Sequence, residues 1–376
     1  MRGAPSLHTM KRFTLAVASL LLAFAAPSVL AGIQYPKATF SGIIGGDTFD
    51  QQGRFTIKTT STGAFTVKVK VGPKSAAFHG QFDENFHVDQ KFTFRPLPFV
   101  SIDVRVIMDM TPDGERIRGT VQSEAINDNS PVPFTVYQVF KYTTQNPAPQ
   151  AGRFTGLFTK IDGTSPTGTG VAIVNVSKTG KVKVVGTLPD GSKVSTGGGL
   201  SPGGVFPIFN VLYSKKGALA GFAQFHGENA ADTNITVAGQ TDTAGLVWAK
   251  IGDGDFTGHE KLVLERYTAP AAGDRVLPGL NANGNGAATF GLTGGGISTF
   301  NKQVTFSTTN KVTVTDANNN EGLKVTVDVK TGLVTGSLTL DDKRTFAMVV
   351  LQSDDVIRGF HTGTGGTGDA SITPNP

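Results

Sequence analysis

Cysteine is absent from all 376 residues. That excludes disulfide bridges, thiolate zinc sites, iron–sulfur clusters and cysteine nucleophiles. The six histidines are scattered, and none forms a helical metal-ligand pair. No long stretch carries the apolar period of an amphipathic helix. One tryptophan and five tyrosines are too few for the aromatic girdles of an outer-membrane barrel. Many strand-like segments also fall short of the roughly nine residues such a span needs. Lysines are spread singly and are not interleaved with aromatics, so no nucleic-acid partner is expected. Nor is any cofactor.

What the chain does have is glycine, 48 residues of it, with 26 phenylalanines. With many Thr and Val, that is the composition of strands joined by tight turns. Period-two alternation dominates. Phe65, Val67, Val69 and Val71 share one face and Thr66, Lys68 and Lys70 the other. Ile102, Val104, Val106 and Met108 alternate with Asp103 and Arg105, and Leu323, Val325 and Val327 with Lys324 and Thr326. Each reads as a strand with one dry and one wet face, which favours antiparallel pairing. Turn signals such as Thr62-Gly63, Pro112-Asp113-Gly114, Thr179-Gly180 and Thr331-Gly332 recur about every 10 residues, the spacing of sandwiches and barrels. The expected fold is all-β, with tandem antiparallel meander units forming barrels or barrel-like sandwiches.

The N-terminus reads as an export signal. Lys11 and Arg12 precede an apolar run from Phe13 to Ala26, Pro27-Ser28 breaks it, and Val29-Leu30-Ala31 offers cleavage positions. Met10 is a better start than the nine residues before it, and cleavage is expected after Ala31. Leu30-Ala31-Gly32-Ile33 resembles a lipoprotein box, but Ile33 stands where the acylated cysteine belongs. Removing residues 1–31 leaves 31 basic against 29 acidic residues, a net charge of about +2. The expected destination is secreted, periplasmic or on the cell surface, with no integral membrane span after cleavage.

Beyond a signal peptide at 1–31, the chain divides into a β domain at 32–146 and a second at 151–372. The second is one unit or two, with a break near 268–284. Linker composition marks residues 143–150, and the Gly-rich tail from Thr362 onward reads as frayed. Short segments recur at a domain-sized period. Phe40-Ser41-Gly42-Ile43 compares with Phe154-Thr155-Gly156-Leu157, and Ser61-Thr62-Gly63 with Lys178-Thr179-Gly180 and Lys330-Thr331-Gly332. Residues 33–146 hold about eight strand-like segments, and 151–372 roughly twice as many.

Residues 183–221 carry a resemblance. Val184-Val185-Gly186-Thr187-Leu188-Pro189-Asp190-Gly191-Ser192 precedes Leu200-Ser201, Phe206-Pro207-Ile208-Phe209 and Val211-Leu212-Tyr213, then Gly217-Ala218-Leu219-Ala220-Gly221, with Trp248-Ala249-Lys250 further on. This resembles a β-rich repeat module of exported surface proteins of Gram-negative environmental bacteria. Phe209 stands for the module's usual tyrosine and Ser192 for its threonine. The resemblance covers residues 150–370, implies location and fold, and transfers no site.

Candidate chemistry is sparse. Gly199-Leu200-Ser201-Pro202-Gly203 matches G-x-S-x-G, but Pro202 lacks the N–H that an oxyanion hole needs, so it reads as a loop. Asp316, Asn318 and Asn320 place oxygens at alternate positions, as at the front of a calcium loop, yet the glycine comes one place late and Val327 stands where a bidentate Glu belongs. A hairpin turn is the plainer reading. Asp253, Asp255, His259 and Glu260 gather oxygens and an imidazole in a Gly-rich stretch; a polar hairpin loop is the plainer reading, and a site for a sugar hydroxyl or divalent ion the alternative. Trp248 reads as core, with a sugar-stacking platform as its alternative. No catalytic residue is identified, and no enzyme is expected. The functional expectation is an exported structural or interaction module, with a glycan or other envelope proteins as partners. A glycan- or small-ligand-binding barrel is the alternative, and a secreted hydrolase a third.

Overall fold

A computed structural model describes residues 34–376, apart from 47, 72–73, 98–99, 125–129, 167, 234–244, 317–318 and 320. The expected leader at 1–31 lies outside the described residues.

The described chain is three antiparallel sheets in succession. The first contains β1 (Thr39–Ile44), β2 (Gly53–Thr59), β3 (Ala64–Val71), β4 (Lys74–Gln81), β5 (His87–Leu97), β6 (Val100–Met110), β7 (Arg116–Gln122) and β8 (Val132–Gln138). The second contains β9 (Gly152–Gly163), β10 (Thr169–Val176), β11 (Lys181–Thr187), β12 (Lys193–Gly199), β13 (Val205–Leu212), β14 (Gly217–His226), β15 (Ala230–Asp232), β16 (Leu246–Lys250) and β17 (Phe256–Arg266). A short helix, α1 (Pro278–Ala282), leads into β18 (Ala287–Gly294), β19 (Ile297–Phe306), β20 (Val312–Val314), β21 (Lys324–Asp328), β22 (Leu333–Thr339), β23 (Lys343–Leu351), β24 (Val356–Gly363) and β25 (Gly366–Pro374).

Each meander curls back until its first strand pairs with its last: β1 with β8, β9 with β17 and β18 with β25. Each therefore encloses a barrel-like interior, with its seam at β4/β5, β12/β13 or β20/β21. The alternation explains what fills them. Phe40, Phe55, Phe65, Val67, Val106 and Phe134 turn into the first interior, where Phe55 and Phe134 stack 4.4 Å apart. Phe154, Phe158, Val184 and Trp248 fill the second, and Phe290, Phe306, Phe346 and Met348 the third. Leu280 of α1 is buried in that third cluster.

The outer faces also pack. Ile43 of the first sheet meets Val205, Ala218, Ala220 and Phe222 of the second. Val171 of the second meets Val349, Leu351 and Phe360 of the third. Ser41 and Thr155, beside the inward phenylalanines, are thus buried as well, and Thr155 Oγ1 donates to Val350 O at 2.6 Å across the second junction. These contacts join 35–376 into one compact unit.

Gly42 and Gly156 close two of these barrels. A Cβ on Gly42 of β1 would stand 1.9 Å from Thr135 O of β8, and one on Gly156 of β9 would stand 2.1 Å from Val263 O of β17. Neither neighbour is a side chain that can swing away. Gly42→Ala is therefore expected to destabilise the chain by about 1–3 kcal/mol through overpacking, read as a lowered urea midpoint by circular dichroism. An unchanged midpoint would mean that β1 and β8 are not held this close.

Two sequence readings change here. The Gly-rich tail is not frayed: β25 pairs with β24 and β18 and closes the third sheet. And the turn at Thr331-Gly332 joins the fourth and fifth strands of its sheet, whereas those at Gly63 and Gly180 join the second and third. The third sheet's turn between second and third strands is Ser307–Asn310. There the Asn310 amide donates to Ser307 O, as Gly63 does to Thr60 O and Gly180 to Ser177 O. Asn310 takes φ 59° where the others have glycine, a left-handed conformation asparagine tolerates. Its side chain is anchored, with Oδ1 accepting from the Val276 amide at 2.8 Å.

Candidate functional site

The residues singled out by sequence in the second sheet are divided by its geometry. Along β17, Gly258, Glu260 and Leu262 face the interior while His259 faces outward, as period two requires. A register shift between His259 and Glu260 in the pairing with β9 bends the strand at this point. His259 Nδ1 lies 2.5 Å from Asp162 Oδ1 on the outer face. Asp253 and Asp255 are exposed in the β16–β17 turn. Glu260 and Trp248 are both fully buried.

Glu260 and Trp248 anchor a polar cluster inside one end of the second barrel. Glu260 Oε1 accepts from Ser165 Oγ at 2.9 Å, and Lys160 Nζ donates to Ser165 O at 2.6 Å. Glu260 Oε2 has no hydrogen-bond partner among the described residues. Burial pushes the Glu260 carboxyl up to about 7, against the downward pull of the Ser165 hydroxyl and the Lys160 charge; the Asp190 carboxylate adds a further push upward. Trp248 Nε1 donates to Tyr213 Oη at 3.1 Å, and Tyr213 Oη donates in turn to Asp190 Oδ2. Phe256 stands edge-on to the indole at 5.0 Å. Burial and the Asp190 carboxylate raise the Tyr213 phenol well above the usual tyrosine range, so it stays a neutral donor.

Tyr213, Ser214 and Lys215 run at φ 50°, 52° and 74°. Three successive side-chain-bearing residues in this region are strained by about 1 kcal/mol or more each. The Tyr213 hydroxyl, tied to Trp248 and Asp190, holds the turn in place. At this end of the barrel Glu260, Ser165 and Trp248 are buried, Tyr213 and Lys160 are half-buried and Asp190 is exposed; the cluster orders one turn and keeps a protonatable carboxyl out of water's reach.

Elsewhere the sequence candidates disperse. Ser201 Oγ accepts from the Val205 amide at 2.8 Å, so the G-x-S-x-G serine organises a turn. Asp316 Oδ2 accepts from the Gln303 amide at 2.9 Å, while Asn318 and Asn320 lie outside the described residues. No group of three metal-ligating acids or histidines occurs among the described residues.

Two arrangements escaped the sequence reading. In the third barrel, Arg344 and His361 point inward, with Arg344 Nη1 3.3 Å from His361 Nδ1 and Arg344 Nε 2.8 Å from Asp342 Oδ1. Burial depresses the His361 imidazole below its ordinary value, helped by the Arg344 charge. Parity with Phe346 and Ile357 is the signal that could have found them. The second arrangement lies on the outer face of the first sheet. Arg54 pairs in register with Lys70, Thr56 with Lys68 and Lys58 with Thr66. Arg54, Thr56, Lys68, Lys70, Ser75 and Ala77 line an open groove of about 490 Å³. The alternation shows Lys68 and Lys70 on one face; only the β2–β3 register adds Arg54 and Lys58.

No protein-family model matches the chain, and no curated protein sequence does. Among solved structures, intact transferrin binding protein B (Ap-TbpB, N and C lobes) matches 91% of this chain and 77% of its own, at 11% identity and a TM-score of 0.21. A double mutant of the Haemophilus parasuis transferrin binding protein B matches 90% and 75%, at 10% identity and a TM-score of 0.21. A DUF3598-family protein of unknown function from Nostoc punctiforme matches 61% of this chain and 95% of its own, at 8% identity and a TM-score of 0.19. Likeness at this level carries nothing about activity or partner.

Proposed function

We propose that the chain is a non-catalytic structural or interaction module of the cell surface or periplasm, which meets its partners through the outer faces of filled barrels. The polarity of the barrels carries this reading. Their interiors hold phenylalanine and aliphatic side chains, while the outer face of β5–β6 is a ladder of ion pairs, Arg105 with Asp89 and Lys91 with Asp103. A transmembrane barrel has the opposite polarity, apolar outside and wet inside. A ligand-binding barrel needs a cavity where these interiors hold aromatic rings. A hydrolase needs carboxyls that touch substrate; Glu260 is sealed, and Asp253 and Asp255 stand apart from it. No helix among the described residues is long and apolar enough to cross a membrane.

Two measurements test the proposal. Expressed in a Gram-negative host, the chain is expected in the periplasmic or extracellular fraction with Gly32 at its N-terminus; an unprocessed cytoplasmic chain would overturn the location. Apolar fluorescent probes are expected to show no saturable binding. Saturable binding that quenches the Trp248 emission would overturn the filled barrel and favour the ligand-binding reading.

A further inference from the structure

We infer that the groove on the outer face of β2, β3 and β4 binds an anionic polysaccharide, a polyuronate or sulfated glycan, along a run of unpaired cations. This names the partner class of the interaction module proposed above, and rests on that reading.

The contrast between two patches on the outer face of one sheet supports it. On β5–β6 the charges neutralise one another across the strands: His87 with Asp109, Arg105 with Asp89, Lys91 with Asp103, at 2.6, 2.6 and 2.7 Å. On β2–β3 the same cross-strand positions carry Arg54, Lys58, Lys68 and Lys70, and among the described residues no carboxylate pairs with any of them. Neighbours in register lie about 5 Å apart and next-but-one residues on a strand about 7 Å. That is inside the Debye length of roughly 8 Å at physiological salt, so the positive potentials add.

Arg54 is the second observation. It is half-buried at the junction of the first and second sheets, where its Nη1 donates to Gly197 O at 3.0 Å and its Nη2 to Ser41 Oγ at 3.3 Å. Both acceptors are neutral. A guanidinium has five N–H donors, and a half-buried one normally gains from a carboxylate partner. Here the fork is fixed by the fold with its charge uncompensated, and it lines the groove with Lys68 and Lys70.

The other linings select the occupant. Thr56 and Ser75 set hydroxyls among the cations, and Val69, Ala76 and Ala77 complete a shallow wall. No aromatic ring lines the groove on which a base could stack, which single-stranded nucleic acids require. Nor does it contain the deep apolar pocket that anchors a peptide. An extended chain bearing a negative charge on every sugar or two, with hydroxyls between, matches cations spaced at 5–7 Å.

The test is a binding titration of the purified full chain with polygalacturonate and dextran sulfate, with neutral dextran, a thymidine oligonucleotide and anionic phospholipid vesicles beside them. The anionic glycans are expected to bind and dextran not. Four cations predict that log affinity falls against log salt with a slope of about −3, by analogy with single-stranded polyanions. Lys68→Gln/Lys70→Gln is expected to weaken binding at least tenfold, and Lys68→Glu/Lys70→Glu to abolish it. Both lysines are exposed, so circular dichroism should be unchanged. Lys91→Gln, on the neutral ladder, should bind as the parent does. Absence of glycan binding, binding indifferent to Lys68 and Lys70, or equal or tighter binding of the oligonucleotide or the vesicles would each overturn the inference. None of those results would touch the module reading, which stands or falls on export and on the filled interiors.

Discussion

Trp248→Ala is expected to destabilise the chain by about 3–5 kcal/mol, the range for truncating a large buried aromatic. The indole is fully buried on the inner face of β16, so its removal loses transfer free energy and leaves a cavity. It also removes one of the hydrogen bonds that hold the Tyr213 hydroxyl, leaving Asp190 and Ser192. With Tyr213, Ser214 and Lys215 all at positive φ, the β13–β14 turn would lose one of the contacts that hold it. Trp248→Phe keeps an aromatic ring but loses the N–H and part of the ring volume, so a smaller loss of about 1–3 kcal/mol is expected. Urea titrations by far-ultraviolet circular dichroism measure both. A loss below about 1 kcal/mol for Trp248→Ala would remove the indole from the structural role given it here. Since Trp248 is the only tryptophan, its emission in the parent reports the second barrel alone. If the packed junctions make 35–376 one cooperative unit, fluorescence and circular dichroism transitions should coincide.

Glu260→Gln is expected to stabilise the chain at alkaline pH and to change it little in acid. The folded carboxyl has its pKa near 7 against an ordinary 4.5. Between those values the folded chain holds a proton that the unfolded chain has released, so stability falls as pH rises from about 4.5 to 7 and levels off above. A shift of that size is worth about 3 kcal/mol. Glutamine resembles the protonated acid and can still accept from Ser165. The difference between variant and parent should therefore be near zero at pH 4.5 and reach about 2–3 kcal/mol at pH 8, a comparison in which other titrating groups cancel. Thermal midpoints across this pH range provide the check. A variant less stable than the parent at pH 8 would mean that the buried carboxylate is held as an ion, with Lys160 as its partner.

The strand pattern was legible because parity is a local property of extended backbone. Phe65, Val67 and Val71 are buried and Thr66, Lys68 and Lys70 exposed, as their alternation required. The same parity separates His259 from Glu260, so four residues that look like one cluster in a line of text occupy an outer face, an exposed turn and a closed interior. What covers an outer face was not legible. Ser41 and Ile43 look like half-wet positions and are buried because the second sheet packs on them. The turn at Ser307–Asn310 went unmatched because asparagine does there what glycine does at Gly63 and Gly180. The tail from Thr362 looked loose because its glycines weaken any local preference for a strand, and pairing on both edges overrides that weakness.

The absence of cysteine and the glycine-punctuated alternation determined by themselves that this protein is a cysteine-free all-β chain of antiparallel meanders. Only the tertiary structure decided that the meanders number three, that each closes first strand to last, and that Trp248, Tyr213, Asp190 and Glu260 meet at one end of the second barrel. It alone set Arg54 and Lys58 beside Lys68 and Lys70. The physical reason is that alternation reports which side of a strand a residue takes, whereas neighbours across strands depend on register and closure. Those are settled by packing among residues tens to hundreds of positions apart, as Arg54 and Gly197 are, and no local pattern encodes them.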